Sequence, residues 1–271
     1  MQRKYVYLAI AAVIIIVIAA LFMSGAPAGS SGGALSAFDN QPVSASVMTL
    51  LRVGNSISNT VGQGLVFKQY MPQQINGTTL ALNGKPEVLY IGADYCPYCA
   101  LERWGLIVAL MRFGNFTGLH YMTSSAVDSY ANTPTFTFYN SSYSSSYVSF
   151  VGVEEFTNRI NSSTNYYQVL ATPNASEQAA VSKYDTSGGI PFIDFGNKGI
   201  QQGASYADPT ILDFMNWSQI AGQLSNTNSV QSKVIVGTAD VFTAQICMLT
   251  NDTPSSVCSQ TYVKNIQAEL S

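Results

Sequence analysis

Charged residues are scarce in this sequence. Asp, Glu, Lys and Arg make up 10% of its 271 residues, against about 25% in an average soluble protein. Serine, threonine and asparagine are abundant instead, with 31, 20 and 18 positions. The expected surface is therefore polar but mostly uncharged. Such groups stay solvated whether or not carboxylates are protonated, so the composition would suit an acidic exterior.

Basic residues and histidine are also few. Twelve Lys and Arg stand against 15 Asp and Glu, for a formal net charge of −3, which excludes the basic footprint of a nucleic-acid-binding protein. One histidine, His120, and four cysteines are too few to assemble zinc sites, His-based triads or iron–sulfur clusters readily. We therefore expect no metal, no other cofactor and no nucleic-acid partner. His120 is assigned to a strand instead of a catalytic role.

Hydrophobic residues are plentiful, at 47% of the chain, which is enough for a packed core. One uninterrupted apolar run covers residues 5–23 and follows Arg3 and Lys4. Its length is close to the ~20 residues that cross a bilayer, and the preceding positive charges predict an N-terminus on the inner side. We expect a single-pass membrane anchor over residues 1–23. A cleaved signal peptide is the competing interpretation, because residues 26–28 (Ala-Pro-Ala) loosely match a cleavage site.

The rest of the chain is expected to lie outside the cytoplasm. Residues 24–36 are rich in Gly, Ser and Ala and predict a flexible tether, followed by a folded domain over residues 37–271. Seven Asn-x-Ser/Thr sequons agree with export and predict a glycoprotein. They begin at Asn76, Asn115, Asn140, Asn161, Asn174, Asn216 and Asn251.

The apolar patterns of the folded part predict an α/β domain. Asn83-Gly84 predicts a β-hairpin over residues 80–91, whose second arm is a buried strand. An almost wholly apolar helix is expected over residues 100–113. Further strands are predicted over residues 119–122, 135–139, 147–153 and 188–195. A Ser/Tyr-rich connection is expected over residues 141–146. Helices are predicted over residues 208–224 and 234–249, and a last short helix ends at residue 270.

A Cys-Pro-Tyr-Cys motif lies between the buried strand and this helix. Cys96 would lie at the helix N-terminus, where free N–H groups and the helix dipole lower the pKa of a thiol. Pro97 fits the first helical position, and Cys99, one turn further, would be shielded as a resolving thiol. This arrangement favours a redox-active cysteine pair. The alternatives are a static disulfide and half of a zinc site. The zinc site would be completed by Cys247 and Cys258, whose spacing is unlike a zinc knuckle.

Pro191 follows Ile190 and two glycines and precedes a predicted strand. A cis Ile190–Pro191 bond would bring the Ile190 backbone beside the C-x-x-C motif, where it can pair with an extended substrate. The candidate catalytic residues are therefore Cys96, Cys99 and Pro191, and the candidate substrate-binding residues are Tyr95, Pro97, Tyr98 and Ile190.

Two carboxyl residues and a tryptophan lie close to the motif in the sequence. Asp94 and Glu102 could tune the pKa of Cys96 or relay a proton to Cys99, or they could be solvated surface residues. Trp104 is expected to pack in the core.

Cys247 and Cys258 enclose a short loop between two predicted helices. In an oxidising compartment we expect them to form a structural disulfide. A second redox relay is the alternative, although such relays usually need thiolate activation.

Residues 80–113 and 188–203 together resemble the thioredoxin superfamily. The resemblance implies that Cys96 is the nucleophile, Cys99 the resolving cysteine and Pro191 the cis-proline. The Pro97-Tyr98 dipeptide is similar to that of glutaredoxins and of bacterial periplasmic disulfide isomerases.

The implied fold is thioredoxin-like with two additions. Because 91 residues separate Cys99 from Pro191, an insertion is expected over about 124–187, and a C-terminal helical extension over about 230–271. The whole layout is similar to an uncharacterised archaeal family of membrane-anchored thioredoxin-like proteins.

These features predict a membrane-anchored, extracytoplasmic thiol–disulfide oxidoreductase. Its expected partners are protein thiols or disulfides and a membrane-bound or soluble electron-transfer protein, and a depressed Cys96 pKa favours an oxidase or isomerase over a reductase. The alternative is a redox-silent, glycosylated thioredoxin-like protein that acts by binding only.

Overall fold

The computed structural model of the protein describes residues 35–185 and 187–271. The anchor predicted over residues 1–23 lies outside them, as does the predicted tether except for its last two residues. Leu35 is buried and Ser36 begins a 3-10 helix. The folded domain therefore includes two residues that the sequence assigned to the tether.

The described chain is a mixed α/β structure, as predicted. Its strands are β1 (Gln73–Gln74), β2 (Ala81–Leu82), β3 (Lys85–Gly92), β4 (Gly114–Thr117), β5 (His120–Thr123), β6 (Pro134–Thr137), β7 (Ser142–Ser145), β8 (Ser149–Glu154), β9 (Phe156–Asn161), β10 (Tyr166–Val169), β11 (Phe192–Phe195) and β12 (Gly199–Gln202). Its α-helices are α1 (Ala45–Leu50), α2 (Asn55–Val61), α3 (Pro97–Leu110), α4 (Ala175–Tyr184), α5 (Trp217–Gln223), α6 (Gly237–Leu249), α7 (Ser255–Cys258) and α8 (Thr261–Leu270).

Six of the described strands form a mixed sheet around β3. Strands β1, β12, β11 and β3 are successive antiparallel neighbours, and β8 pairs in parallel with the other edge of β3. Strand β2 pairs with the first residues of β3 through the predicted Asn83-Gly84 hairpin. A parallel pair needs a crossover connection, and α3 lies in the one between β3 and β8.

The sheet is covered on both faces, because successive side chains of a strand point to opposite faces. Val88 and Tyr90 of β3 belong to the larger core, which α3 and α6 share. Leu89 and Ile91 belong to a smaller cluster on the other face, to which α4 contributes Ala180. This two-sided burial explains why β3 reads as a continuous apolar run in the sequence.

The single helix predicted over residues 208–224 is wrong. The chain forms a 3-10 helix, Pro209–Leu212, passes through Phe214 in the left-handed region (φ 61°), and begins α5 only after Asn216. Asn216 and Gln219 exchange two hydrogen bonds between side chain and backbone, which is a capping box. This second helix start was overlooked in the sequence.

The Ser/Tyr-rich connection predicted over residues 141–146 is also wrong, since Ser142–Ser145 is strand β7, paired with β4. Serine clusters are typical of loops. Here the Tyr143 hydroxyl donates to the Leu110 carbonyl and the Ser145 hydroxyl to the Phe113 carbonyl, so β7 is tied to the end of α3. These tertiary contacts override the local preference.

The region predicted as an insertion, residues 124–187, contains β8, which belongs to the central sheet. The β9–β10 hairpin and α4 follow β8 before the chain enters β11. The region is therefore partly a component of the sheet and partly an addition to it.

The C-terminal residues are helical, as expected. A π-helical turn, Ser232–Val236, leads into α6, which packs against α3. Within the described part of the chain, one helical segment, Ser232–Leu249, is long and apolar enough to cross a membrane, but 89% of it is buried inside the protein. It serves as a core helix of this domain.

Candidate functional site

The C-x-x-C motif lies where β3 ends and α3 begins. Cys96 is the N-cap residue of α3 and Pro97 is its first residue. The backbone N–H of Cys99 donates to Cys96 Sγ at 3.3 Å. Both cysteines are free thiols; Cys96 is 6% exposed and Cys99 is 0% exposed. Cys96 is therefore the more exposed of the two buried thiols.

The surroundings move the pKa values of the two thiols apart. A hydrogen bond with the Cys99 side chain, the backbone N–H of Cys99 and the charge of Arg103 lower the pKa of Cys96, against the effect of burial. Complete burial, together with the hydrogen bond to Cys96, raises the pKa of Cys99 well above its usual range. Because the thiolate is the nucleophile, this arrangement suits Cys96 for attack and keeps Cys99 protonated.

Ile190 and Pro191 lie directly beside the motif. Their peptide bond is cis, as the sequence predicts. The Ile190 carbonyl oxygen is 4.0 Å from Cys96 Sγ, and the buried Pro191 accepts a hydrogen bond from the Gly203 N–H through its carbonyl, at 2.8 Å. Candidate residues from two distant parts of the sequence therefore meet at one point.

Aromatic side chains flank the motif on both sides. Tyr95, which is half-buried, stacks on Tyr167 of β10 with ring centroids 3.9 Å apart. The exposed Tyr98 packs edge-on against Tyr130 at 5.8 Å. Tyr167 and Tyr130 come from the region predicted as an insertion, so that region helps to build the surface around Cys96.

A buried charge cluster underlies the motif. Arg103 is fully buried and binds both carboxylate oxygens of Glu154 at 2.8 and 2.7 Å, and it donates to the Ala93 carbonyl at 2.6 Å. Asp94 lies 3.7 Å from Arg103. Burial is the main cause that raises the pKa of Asp94 to about 8, and the charge of Glu154 contributes in the same direction. Glu154 thus provides the counter-ion of Arg103, and Asp94 is the protonated member at neutral pH.

Both carboxyls that flank the motif are buried, so their interpretation as solvated surface residues is wrong. Glu102 accepts hydrogen bonds from the Ser205 N–H at 2.9 Å and the Ser205 hydroxyl at 2.7 Å. Burial raises the pKa of Glu102 to about 7. Trp104 is buried in the core and donates to the Pro134 carbonyl, as predicted, and His120 begins strand β5.

Cys247 and Cys258 are joined by a disulfide that links α6 to α7, in agreement with the predicted bridge. Both residues are fully buried in the larger core. A bonded pair cannot supply thiolate ligands, so the four-cysteine zinc alternative does not apply to this structure.

A family model described as a domain of unknown function, DUF929, matches residues 71–248. The chain belongs to the DUF929 family. No curated protein and no solved structure matches it. The part of this DUF929 chain that matches begins before β1 and ends within α6, so it includes the central sheet, both free cysteines and Ile190–Pro191.

The sequence analysis missed Arg103 and Glu154. A signal was present for Arg103, since Glu102 and Arg103 are the two charged residues of a mainly apolar helix. Arg103 lies four positions after Cys99, on the same helical face. Glu154 carries no comparable signal, because its role depends on the parallel pairing of β8 with β3. In this DUF929 protein the pairing aligns Glu154 with Gly92, near the end of β3 that leads to the motif.

Proposed function

We propose that this protein is an extracytoplasmic thiol–disulfide oxidoreductase with a thioredoxin-like fold. One observation carries the proposal: the Cys96 thiol receives the Cys99 N–H at 3.3 Å and lies 4.0 Å from the Ile190 carbonyl. A thiol at a helix N-terminus, beside a backbone segment that can pair with an extended chain, is equipped for exchange with a polypeptide disulfide.

The arrangement of the sheet supports the fold assignment. The strand that precedes the motif, β3, has a parallel neighbour, β8, on one edge and the antiparallel strand that follows Pro191, β11, on the other. Strand β12 extends the sheet beyond β11, and helices cover both faces. This arrangement is consistent with the resemblance to the thioredoxin superfamily in residues 80–113 and 188–203.

The proposed reaction is a two-step exchange. The Cys96 thiolate attacks one sulfur of a client disulfide, a mixed disulfide forms, and the other client sulfur leaves as a thiolate that takes up a proton. Cys99 then loses its proton and attacks Cys96 Sγ, releasing the first client sulfur. Two electrons pass to the client and Cys96–Cys99 becomes a disulfide; the reverse sequence oxidises a client dithiol.

The two thiol environments favour the oxidising direction. Because hydrogen bonds lower the pKa of Cys96, the reduced form of the pair is stabilised and its disulfide becomes a better oxidant. We propose oxidase or isomerase activity on protein thiols, in a domain that an N-terminal anchor holds outside the cytoplasm, with an electron-transfer protein as second partner.

The experiment is a measurement of the Cys96–Cys99 reduction potential together with refolding of a reduced, denatured disulfide protein. We expect a potential above that of structural disulfides, which lie below about −300 mV, and faster refolding with the oxidised protein. Cys96→Ser should abolish activity, and Cys99→Ser should accumulate mixed disulfides. The control is the double variant Cys247→Ala/Cys258→Ala, which leaves the motif intact. A pair that exchanges with no protein substrate would support the redox-silent binding alternative.

A further inference from the structure

A cavity of about 220 Å³ adjoins Ile190, the residue whose carbonyl faces Cys96. It lies between β3, α4 and the loop of residues 188–190, and its other lining residues are Ile91, Glu155, Pro173, Gln178, Val181 and Phe192. One liquid water occupies about 30 Å³. The cavity is therefore large enough for a long amino-acid side chain, and it shares Ile190 with the exchange site.

Glu155 is the carboxylate in this lining. Its backbone is held on two sides, because its N–H donates to the Gly92 carbonyl at 2.8 Å and its carbonyl accepts the Leu170 N–H at 2.8 Å. The side chain is half-buried, and burial raises its pKa. Within residues 35–185 and 187–271, no Lys or Arg forms an ion pair with it. The cavity lining thus includes a carboxyl group without an ion-pair partner among the described residues.

A second carboxylate lies next to the loop of the cavity. Asp185 is buried, and its Oδ1 accepts the N–H and the hydroxyl of Ser187. Its Oδ2 has no hydrogen-bond partner among the described residues, and it is 3.7 Å from where a Cβ on Gly189 would be. Lys183, on α4, holds its ammonium over the Tyr184 ring at 4.6 Å instead of against either carboxylate.

We propose that this cavity binds a lysine or arginine side chain of the client polypeptide, close in sequence to the client cysteine that exchanges with Cys96. The inference rests on the proposed function and names its substrate class, polypeptides with a basic residue near the reactive cysteine. Ile91, Val181 and Phe192 can contact the aliphatic stem while the cation reaches Glu155. Glu155 is then a specificity-determining residue.

The position of the basic residue follows from the geometry of the loop. The carbonyl oxygen of Ile190 lies next to Cys96 Sγ, and the same residue lines the cavity. An extended peptide advances about 3.3 Å per residue. The basic side chain should therefore lie within about two positions of the client cysteine.

The test uses short peptides that are joined into dimers by a disulfide. Each peptide carries one cysteine, and the residues two positions before and two positions after it are lysine, norleucine or glutamate. Reduced protein is mixed with each dimer, and the release of peptide thiol is followed by chromatography. Comparing wild type with Glu155→Gln for the same peptide removes any effect of the peptide's own charge on its cysteine. The matched control is Glu87→Gln, which removes a similarly buried carboxylate from the other end of β3.

We expect wild type to react about fivefold faster than Glu155→Gln with the lysine peptide. The two proteins should react at the same rate with the norleucine peptide. The rate difference with the lysine peptide should become smaller at high salt. Glu87→Gln should behave as wild type. Equal rates for wild type and Glu155→Gln with the lysine peptide would overturn the cavity assignment, and exchange with norleucine peptide would still support the proposed function. Absence of exchange with every peptide would overturn both.

Discussion

Cys96 Sγ lies 4.0 Å from the carbonyl oxygen of Ile190, although 94 positions separate the two residues. The antiparallel pairing of β3 with β11 explains the approach. Ile91 pairs with Phe192. The loop that leaves β3 and the loop that enters β11 therefore lie at the same end of these two antiparallel strands. The C-x-x-C motif and Ile190–Pro191 are brought together by strand register.

Cys96 should be the first cysteine to be alkylated after mild reduction. Its pKa is lowered by hydrogen bonds and the residue is 6% exposed, whereas Cys99 is fully buried with a raised pKa. We expect at least about tenfold faster labelling of Cys96 with limiting iodoacetamide, measured by peptide mass mapping. Labelling should disappear at this peptide in Cys96→Ser, and preferential labelling of Cys99 would reverse the assigned roles.

The Cys247–Cys258 disulfide should survive a reductant concentration that opens a Cys96–Cys99 disulfide. Both of its residues are fully buried, so a thiolate cannot reach the sulfurs without local unfolding. Mass mapping after graded reduction checks this order. Replacing both cysteines with alanine should lower the free energy of unfolding by about 3 kcal/mol, from the entropy of a loop of this length. Free thiols at both positions in untreated protein would contradict the prediction.

The protein should become less stable as pH rises from about 4 to about 8. The pKa of Asp94 is raised to about 8 by burial and Glu154, and burial raises those of Glu102 to about 7 and Asp240 to about 6. In this window the native state holds protons that the unfolded state releases, so the free energy of unfolding falls with pH, by at most about 1.4 kcal/mol per pH unit for each group.

Urea unfolding at a series of pH values measures this dependence. Asp94→Asn should make the curve less steep between about pH 4 and pH 8, because the variant lacks one of the groups that lose a proton there, while Glu102 and Asp240 still titrate. Asp252→Asn is the control, since Asp252 is exposed and its pKa is lowered by Lys264. A free energy of unfolding that increases with pH over the same window would be the opposite result.

Removing the Glu154 charge should destabilise the fold strongly. Arg103 and Glu154 are both fully buried and joined by two hydrogen bonds. Loss of one partner from such a pair costs about 3–5 kcal/mol, because the other charge stays buried alone. We expect this loss for Glu154→Gln in urea unfolding, and at most about 1 kcal/mol for Lys264→Ala, which breaks the exposed pair with Asp252. Equal effects of the two variants would contradict the buried-pair argument.

Much of the fold near the motif could be predicted from local patterns. The hairpin at Asn83-Gly84, the apolar strand β3, and a helix starting at Pro97 follow from turn chemistry, apolar runs and helix-start signals within a few residues of one another. The helix start after Phe214 was overlooked although Asn216 and Gln219 form a local capping box. Strand β7 could not be predicted in this way. Its hydrogen bonds to the end of α3 and the following residues decide its structure.

The sequence by itself determined where the two thiols lie along the chain and that one begins a helix, because these features depend on neighbouring residues. Only the tertiary structure decided which groups surround those thiols. Glu154 reaches Arg103 through the parallel register of β8 with β3, and Glu155 borders a cavity that α4 also lines. Register and packing are set by contacts between distant segments, and no local pattern encodes which distant side chain fills a given position.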